Sequence, residues 1–165
     1  MIKKVLYLLL FVSLGSCGIY SFTGGNTGDA KTIQIDFFPN TAALVEPGLS
    51  QDFTIALQDL FVRQTNLNLV PSGGDLQFEG EIVTYRITPM SATADQRAAQ
   101  NRLTIGVNVR YYNNLVEEDN FEQRFSFYYD YPGSEQLIGS TLEDAWVEIF
   151  NRINQDIFNA SVAKW

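Results

Sequence analysis

Three stretches of this chain alternate apolar and polar residues for longer than chance allows. Leu76, Phe78, Gly80 and Ile82 share one phase, as do Leu103, Ile105, Val107, Val109 and Tyr111. Phe121, Phe125, Phe127 and Tyr129 share a third, with Gln123 as the exception. A period of two places such sets on one face of a strand, so the pattern predicts three half-buried strands. A long polar connection (88–100) joins the first two, and an acidic hairpin loop (113–120) joins the last two. Ile33, Ile35 and Phe37 alternate more briefly and predict an earlier strand, ended near Phe38-Pro39-Asn40.

Two other stretches follow the helical period. Phe53, Ala56, Leu57, Leu60 and Phe61 fall at i, i+3, i+4, i+7 and i+8, with Ser50 as N-cap and an end near Thr65-Asn66. A second stripe over 140–161 carries Leu142, Ala145, Trp146, Ile149, Ile153 and Ile157. Between them, residues 67–70 can pair briefly before the Pro71-Ser72-Gly73-Gly74 turn. The order is β-α-β-β-β-α, an α+β chain. Each helix has one apolar stripe and each strand one apolar face. The economical packing is a two-layer sandwich: a four-stranded mixed sheet with both helices on one face. The first helix then makes a right-handed crossover between two parallel strands. Residues 32–165 form one such domain, and the other sheet face is left open or left for a partner.

If Tyr111 opposes Phe121, Arg110 faces Glu122, Asn108 faces Arg124, Thr104 faces Tyr128 and Arg102 faces Asp130. If Ile82 opposes Ile105, Tyr85 lies beside Arg102, Val83 beside Thr104 and Glu79 beside Asn108. The open face then carries Tyr85, Arg102, Thr104, Tyr128, Arg124 and Arg110 around Gly106. Arg86, Arg97, Arg102, Arg110 and Arg124 all fall within this part of the chain. Guanidinium forks suit phosphates, which offers an anion-contacting patch. Ordinary cross-strand pairing, Arg110 with Glu122 and Arg102 with Asp130, is the weightier reading.

The N-terminus carries a different message. Lys3 and Lys4 precede an uncharged apolar run (5–14), then Gly15-Ser16-Cys17. A positive start, a short apolar core and small residues make a secretory signal peptide over 1–16, too short to span a bilayer. Leu14-Gly15-Ser16-Cys17 resembles a bacterial lipobox, so the chain's single cysteine is read as the acylated first residue of the mature protein. Residues 17–31, with several glycines, read as a tether. No acidic residue appears before Asp29, and the resemblance to other bacterial lipoproteins then implies the outer membrane, with the domain on its periplasmic side. Without Lys3 and Lys4, nine basic residues face nineteen acidic ones, a net charge of −10. Such a surface does not bind nucleic acid or an anionic bilayer through bulk charge.

The sequence contains no histidine, which removes Ser-His-Asp and Cys-His catalysis and histidine zinc sites. No glycine pattern cradles a phosphate. Glu79 and Glu81, about 7 Å apart along one strand face, are the one paired-carboxylate option for glycan hydrolysis. Solvated glutamates on a polar face are the weightier reading. The expectation is a non-enzyme with no cofactor and no metal.

The mature start Cys17-Gly18-Ile19-Tyr20-Ser21-Phe22 resembles the acylation site of the LPS-assembly lipoprotein family, LptE. The likeness continues through IQIDFFPN (33–40), 49–70, GDLQFEGEIVTYRITP (74–89), NRLTIGVNV (101–109) and NFEQRFSFYYDY (120–131). It is similar to a short, acidic branch of that family. The resemblance implies a lipoprotein seated in or against the lumen of a large β-barrel, the LptD-type LPS-assembly protein, as plug and assembly factor. It also implies help in presenting lipopolysaccharide. Candidate contacts with LPS or partner are Arg97, Arg102, Arg110, Arg124, Tyr85 and Tyr128, with Arg97 and Arg102 foremost for phosphate. Two other classes share parts of the pattern: an accessory or pilot subunit of another envelope machine, and the carboxylate enzyme.

Overall fold

The computed structural model describes residues 25, 27–90 and 99–163. The signal peptide, Cys17 and most of the tether lie outside the described residues, as does Arg97. The elements are β1 (Thr32–Ile35), α1 (Leu49–Gln64), β2 (Asn68–Leu69), β3 (Leu76–Met90), β4 (Gln100–Asn113), β5 (Phe121–Pro132) and α2 (Ser140–Ser161). They build one mixed sheet in the order β2-β1-β3-β4-β5. β1 is parallel to β2 and β3, and the β3–β4 and β4–β5 pairs are antiparallel. The α+β architecture and the parallel crossover through α1 stand as expected. The sheet has a fifth strand because the brief 68–69 segment pairs on the outer side of β1.

Both helices bury their stripes against the same sheet face. Phe53, Leu57 and Phe61 of α1 and Ile149, Ile153 and Ile157 of α2 are buried with Leu76, Phe78, Ile82, Leu103, Ile105, Val107 and Val109. Aromatic rings connect the layers. Phe158 on α2 lies 5.2 Å from Phe61 on α1, which lies 4.9 Å from Phe78 on β3. The series continues to Tyr111 on β4 at 4.9 Å and Phe121 on β5 at 5.2 Å. Offset and tilted ring pairs of this kind contribute about 0.5–1.5 kcal/mol beyond their buried area.

Two local expectations are corrected. Gly48, not Ser50, caps α1, and it takes a left-handed φ of 84° that suits glycine. The helix therefore starts at Leu49, one turn below Phe53, and Leu49 is fully buried. Phe37 does not extend the alternation of β1; it is 61% exposed, while Phe38 is buried. The chain leaves the ladder after Ile35, and the Phe38 N–H donates to the buried Thr54 Oγ1 at 3.1 Å. That bond turns the Phe38 ring into the core, against the Cβ-less face of Gly80. Among the described residues no helix is long and apolar enough to cross a membrane, and no group of three side chains could hold a metal.

Candidate partner-facing surface

The face of β3–β5 away from the helices carries the chain's ordered polar chemistry. The β4–β5 register matches the sequence reading: Tyr111 opposes Phe121, Arg110 Glu122, Asn108 Arg124, Thr104 Tyr128 and Arg102 Asp130. The β3 register does not. Ile82 opposes Val107 instead of Ile105, and Glu79 opposes Arg110 instead of Asn108. A bulge then falls between Ile82 and Thr84, so Val83 has no opposite number. One extra residue reverses the facing of everything beyond it.

The consequence is a correction at Tyr85. It pairs with Ile105, points into the core and is 4% exposed, so it is absent from the open face. Burial, and then the charge of Glu46, pushes its hydroxyl up to about 12. Arg86, opposite Thr104, takes a place on the open face instead. Sequence reasoning grouped it with the other arginines without making it a contact. The signal was present: apolar residues run on even positions to Ile82, then on odd ones at Val83, Tyr85 and Ile87.

From one end, the face reads as rows across three strands. Thr88, Arg102 and Asp130 form the first, then Arg86, Thr104 and Tyr128, then Thr84, Gly106 and Ser126. Glu81, Asn108 and Arg124 follow, then Glu79, Arg110 and Glu122. In the first row Arg102 Nε and Nη2 donate to Asp130 Oδ1 and Oδ2, both at 2.7 Å. The Asp130 hydrogen bond raises the pKa of Arg102, and Arg102 in turn holds the Asp130 carboxyl below the usual carboxylate range. The Arg102 guanidinium also lies 3.6 Å from the Tyr128 ring centre.

In the last rows Arg110 lies 3.4 Å from Glu81 and 3.7 Å from Glu79, so its partners are on β3 and not Glu122. Burial works against its charge, but Glu81 and then Glu79 and Glu122 overrule it and raise its pKa. Between these paired arginines, Arg124 donates through Nη2 to Thr84 Oγ1 at 2.6 Å. Its guanidinium lies over Gly106, 3.3 Å from where a Cβ would stand. Neither Arg124 nor Arg86 has a carboxylate partner among the described residues. The face is thus ion-paired at both ends and carries at its middle two arginines with no carboxylate within 4.0 Å among the described residues.

A family profile described as "LptE: Lipopolysaccharide-assembly" matches residues 30–161. No curated protein matches the sequence. Among solved structures, the PelC L103M dodecamer from Paraburkholderia phytofirmans aligns at 8% identity and a TM-score of 0.47, covering 86% of this chain and 94% of that one. Rare lipoprotein B from Shewanella oneidensis aligns at 12% identity and a TM-score of 0.43, covering 77% and 89%. An uncharacterized lipoprotein B from Nitrosomonas europaea aligns at 16% and 0.42, covering 76% and 82%. No property of this chain follows from similarities that remote.

Proposed function

This chain belongs to the LptE lipopolysaccharide-assembly family, and from that premise we propose that it is an outer-membrane lipoprotein that plugs and helps assemble an LptD-type β-barrel. The anchor is the acyl group proposed at Cys17, and the domain stands on the periplasmic side. The observation that carries the reading is the open face of β3–β5. It is polar and ion-paired at both ends, as a wall facing a water-filled lumen requires. Large barrels have polar interiors, and some are plugged by a folded domain.

The chemistry of the face favours binding over catalysis. Glu79 and Glu81, the candidate carboxylate pair, both engage Arg110. The family is one of non-catalytic lipoproteins. Contact with lipopolysaccharide remains part of the proposal, through Arg97, Arg102, Arg110, Arg124 and Tyr128. The guanidinium of Arg124, bonded to Thr84 but without a carboxylate partner among the described residues, makes it the leading phosphate ligand of that set, joined by Arg86.

The test is an affinity purification of the full-length lipoprotein from solubilised envelopes, with mass spectrometry of the co-purifying proteins. A large outer-membrane barrel at one-to-one stoichiometry is expected. Recovery of a different channel would replace this reading with that of a pilot subunit for another envelope machine.

A further inference from the structure

The outer edge of β3 is covered for part of its length. β1 pairs with Leu76–Phe78, and the chain after β1 stays bound as far as Ile82, whose carbonyl accepts from the Thr41 N–H at 2.9 Å. Beyond that point the chain leaves the strand on its way to α1, and among the described residues no strand pairs with that side of β3. A groove of about 470 Å³ runs between the departing chain and the strand, with Ala43, Leu44, Val83 and Ile87 among its walls. Leu44 is 49% and Ile87 40% exposed, and neither belongs to the domain's buried core.

Its charge sets this groove apart. The chain has nineteen acidic residues, and other hollows of the domain show them. Asp29 and Asp119 line the one beside Thr27, and Asp144 and Glu148 the one along α2. Among the described residues no acid lines the β3 groove; Glu46 follows in the same loop but is not one of its walls. Its charged wall is Arg86, which has no carboxylate partner among the described residues. Thr84, about 7 Å from Arg86 on the same pleat, is a wall too, and its Oγ1 accepts from Arg124 Nη2 at 2.6 Å. One guanidinium without a carboxylate thus lines the apolar groove, and the other is bonded to its wall.

We propose that this groove holds a fatty acyl chain of lipopolysaccharide, with a phosphate of the same molecule at Arg86 and Arg124. The inference rests on the lipopolysaccharide contact proposed above and gives that contact an apolar half. Covering exposed apolar walls with hydrocarbon removes them from water, and sites for small ligands commonly measure about 300–1,000 Å³. An acyl chain suits the place better than a peptide strand. The bulge at Val83 and the proline at Pro89 are devices that keep a strand edge from pairing. A hydrocarbon chain brings no backbone groups that need partners. The phosphate meets a guanidinium through charge-assisted bonds, so head and tail are recognised by different chemistry at one place.

Binding of purified lipopolysaccharide, and of the same material stripped of its acyl chains, to the full-length lipoprotein tests this. Leu44→Asn is a neutral change at an exposed loop position. It is expected to weaken binding of intact lipopolysaccharide about tenfold, the scale of one leucine side chain returned to water, and to leave the deacylated form unaffected. Deacylation alone is expected to weaken binding to the wild type by at least as much. A photo-crosslinking residue at Ile87 is expected to capture intact lipopolysaccharide, while one at the exposed Ile55 on α1 is not. Equal binding of both forms, with Leu44→Asn silent, would overturn the acyl site and leave the phosphate contact standing. Displacement of lipopolysaccharide from the Ile87 crosslink by an equal concentration of phosphatidylglycerol would overturn the choice of ligand. Absence of binding by either form would remove the phosphate contact as well, so the failures are distinct.

Discussion

Arg102 and Asp130 meet across β4 and β5 in a parallel fork of two 2.7 Å hydrogen bonds. The geometry sets a pH dependence. The Asp130 carboxyl is held below its usual range, chiefly by the Arg102 hydrogen bonds. A carboxyl with a folded pKa below its unfolded value of about 3.9 binds fewer protons when folded, so stability rises with pH through that window. The contribution is complete above the unfolded value and is lost as pH falls through the folded one. Urea midpoints of the wild type and Asp130→Asn should therefore differ at pH 7 and converge in acid, as pH falls through the folded value. A gap that persists unchanged at low pH would show that the carboxylate charge is not what the pair contributes.

Two glycines on neighbouring strands give opposite expectations. A Cβ at Gly80 would stand 2.2 Å from the Asn108 carbonyl oxygen and 2.4 Å from Phe38 Cε1, neither of which can yield cheaply. At Gly106 the neighbours are Thr84 and the far end of Arg124, at 3.2 and 3.3 Å. Gly80→Ala should cost about 3 kcal/mol or more, as overpacking of a closed core does. Gly106→Ala should cost about 1 kcal/mol, because the guanidinium can swing aside and Thr84, at 3.2 Å, has to give by only a few tenths of an ångström. Chemical denaturation of both variants decides it; equal losses would refute the account.

Thr54 joins the chain after β1 to helix α1. Its Oγ1 accepts from the Phe38 N–H at 3.1 Å and donates to the Ser50 carbonyl at 2.7 Å, in a buried setting. Thr54→Val keeps the shape and removes the acceptor, leaving a buried amide unpaired at a cost of about 1–3 kcal/mol. Thr54→Ser keeps the bond and should cost clearly less. Amide exchange at Phe38 supplies the second readout, accelerated in the valine variant and little changed in the serine one.

These sites also show what the sequence could and could not convey. The β4–β5 register was legible because the acidic, non-alternating segment after Tyr111 and before Phe121 marks where both apolar patterns stop, which sets those two residues opposite each other. The β3–β4 register was not. Val107 and Ile105 are both apolar and both face the core, so alternation cannot tell one pairing from another two residues away. The connection between those strands blends into polar ends of both, so nothing in it marks which residues face each other. Tyr85 was misplaced for a different reason, a single-residue bulge whose only trace is the switch of apolar phase at Val83. Both helices were legible from their stripes, and the start of the first was placed two residues late because Gly48 supplies backbone conformation in place of a capping side chain.

The same correction reorders the arginines proposed to meet lipopolysaccharide. Arg102 was foremost on sequence position, yet its guanidinium is forked to Asp130 and stacked near Tyr128. A phosphate would have to compete with a carboxylate already in place. Among the described residues Arg124 donates to the neutral Thr84 hydroxyl and to no carboxylate, and Arg86 stands exposed two rows from it. Both retain full charge for a new anion, and an Arg–phosphate contact is a charge-assisted bond. Arg124→Ala is therefore expected to weaken binding of purified lipopolysaccharide by about tenfold, the scale of one such bond. Arg86→Ala should act in the same direction, and Arg102→Ala should change binding less than about twofold. Titration by surface plasmon resonance at two salt concentrations reads all three, with the arginine-dependent part shrinking at the higher one. If Arg102→Ala proved the damaging change and Arg124→Ala the silent one, the phosphate would have to displace Asp130, and the middle of the face would lose its claim.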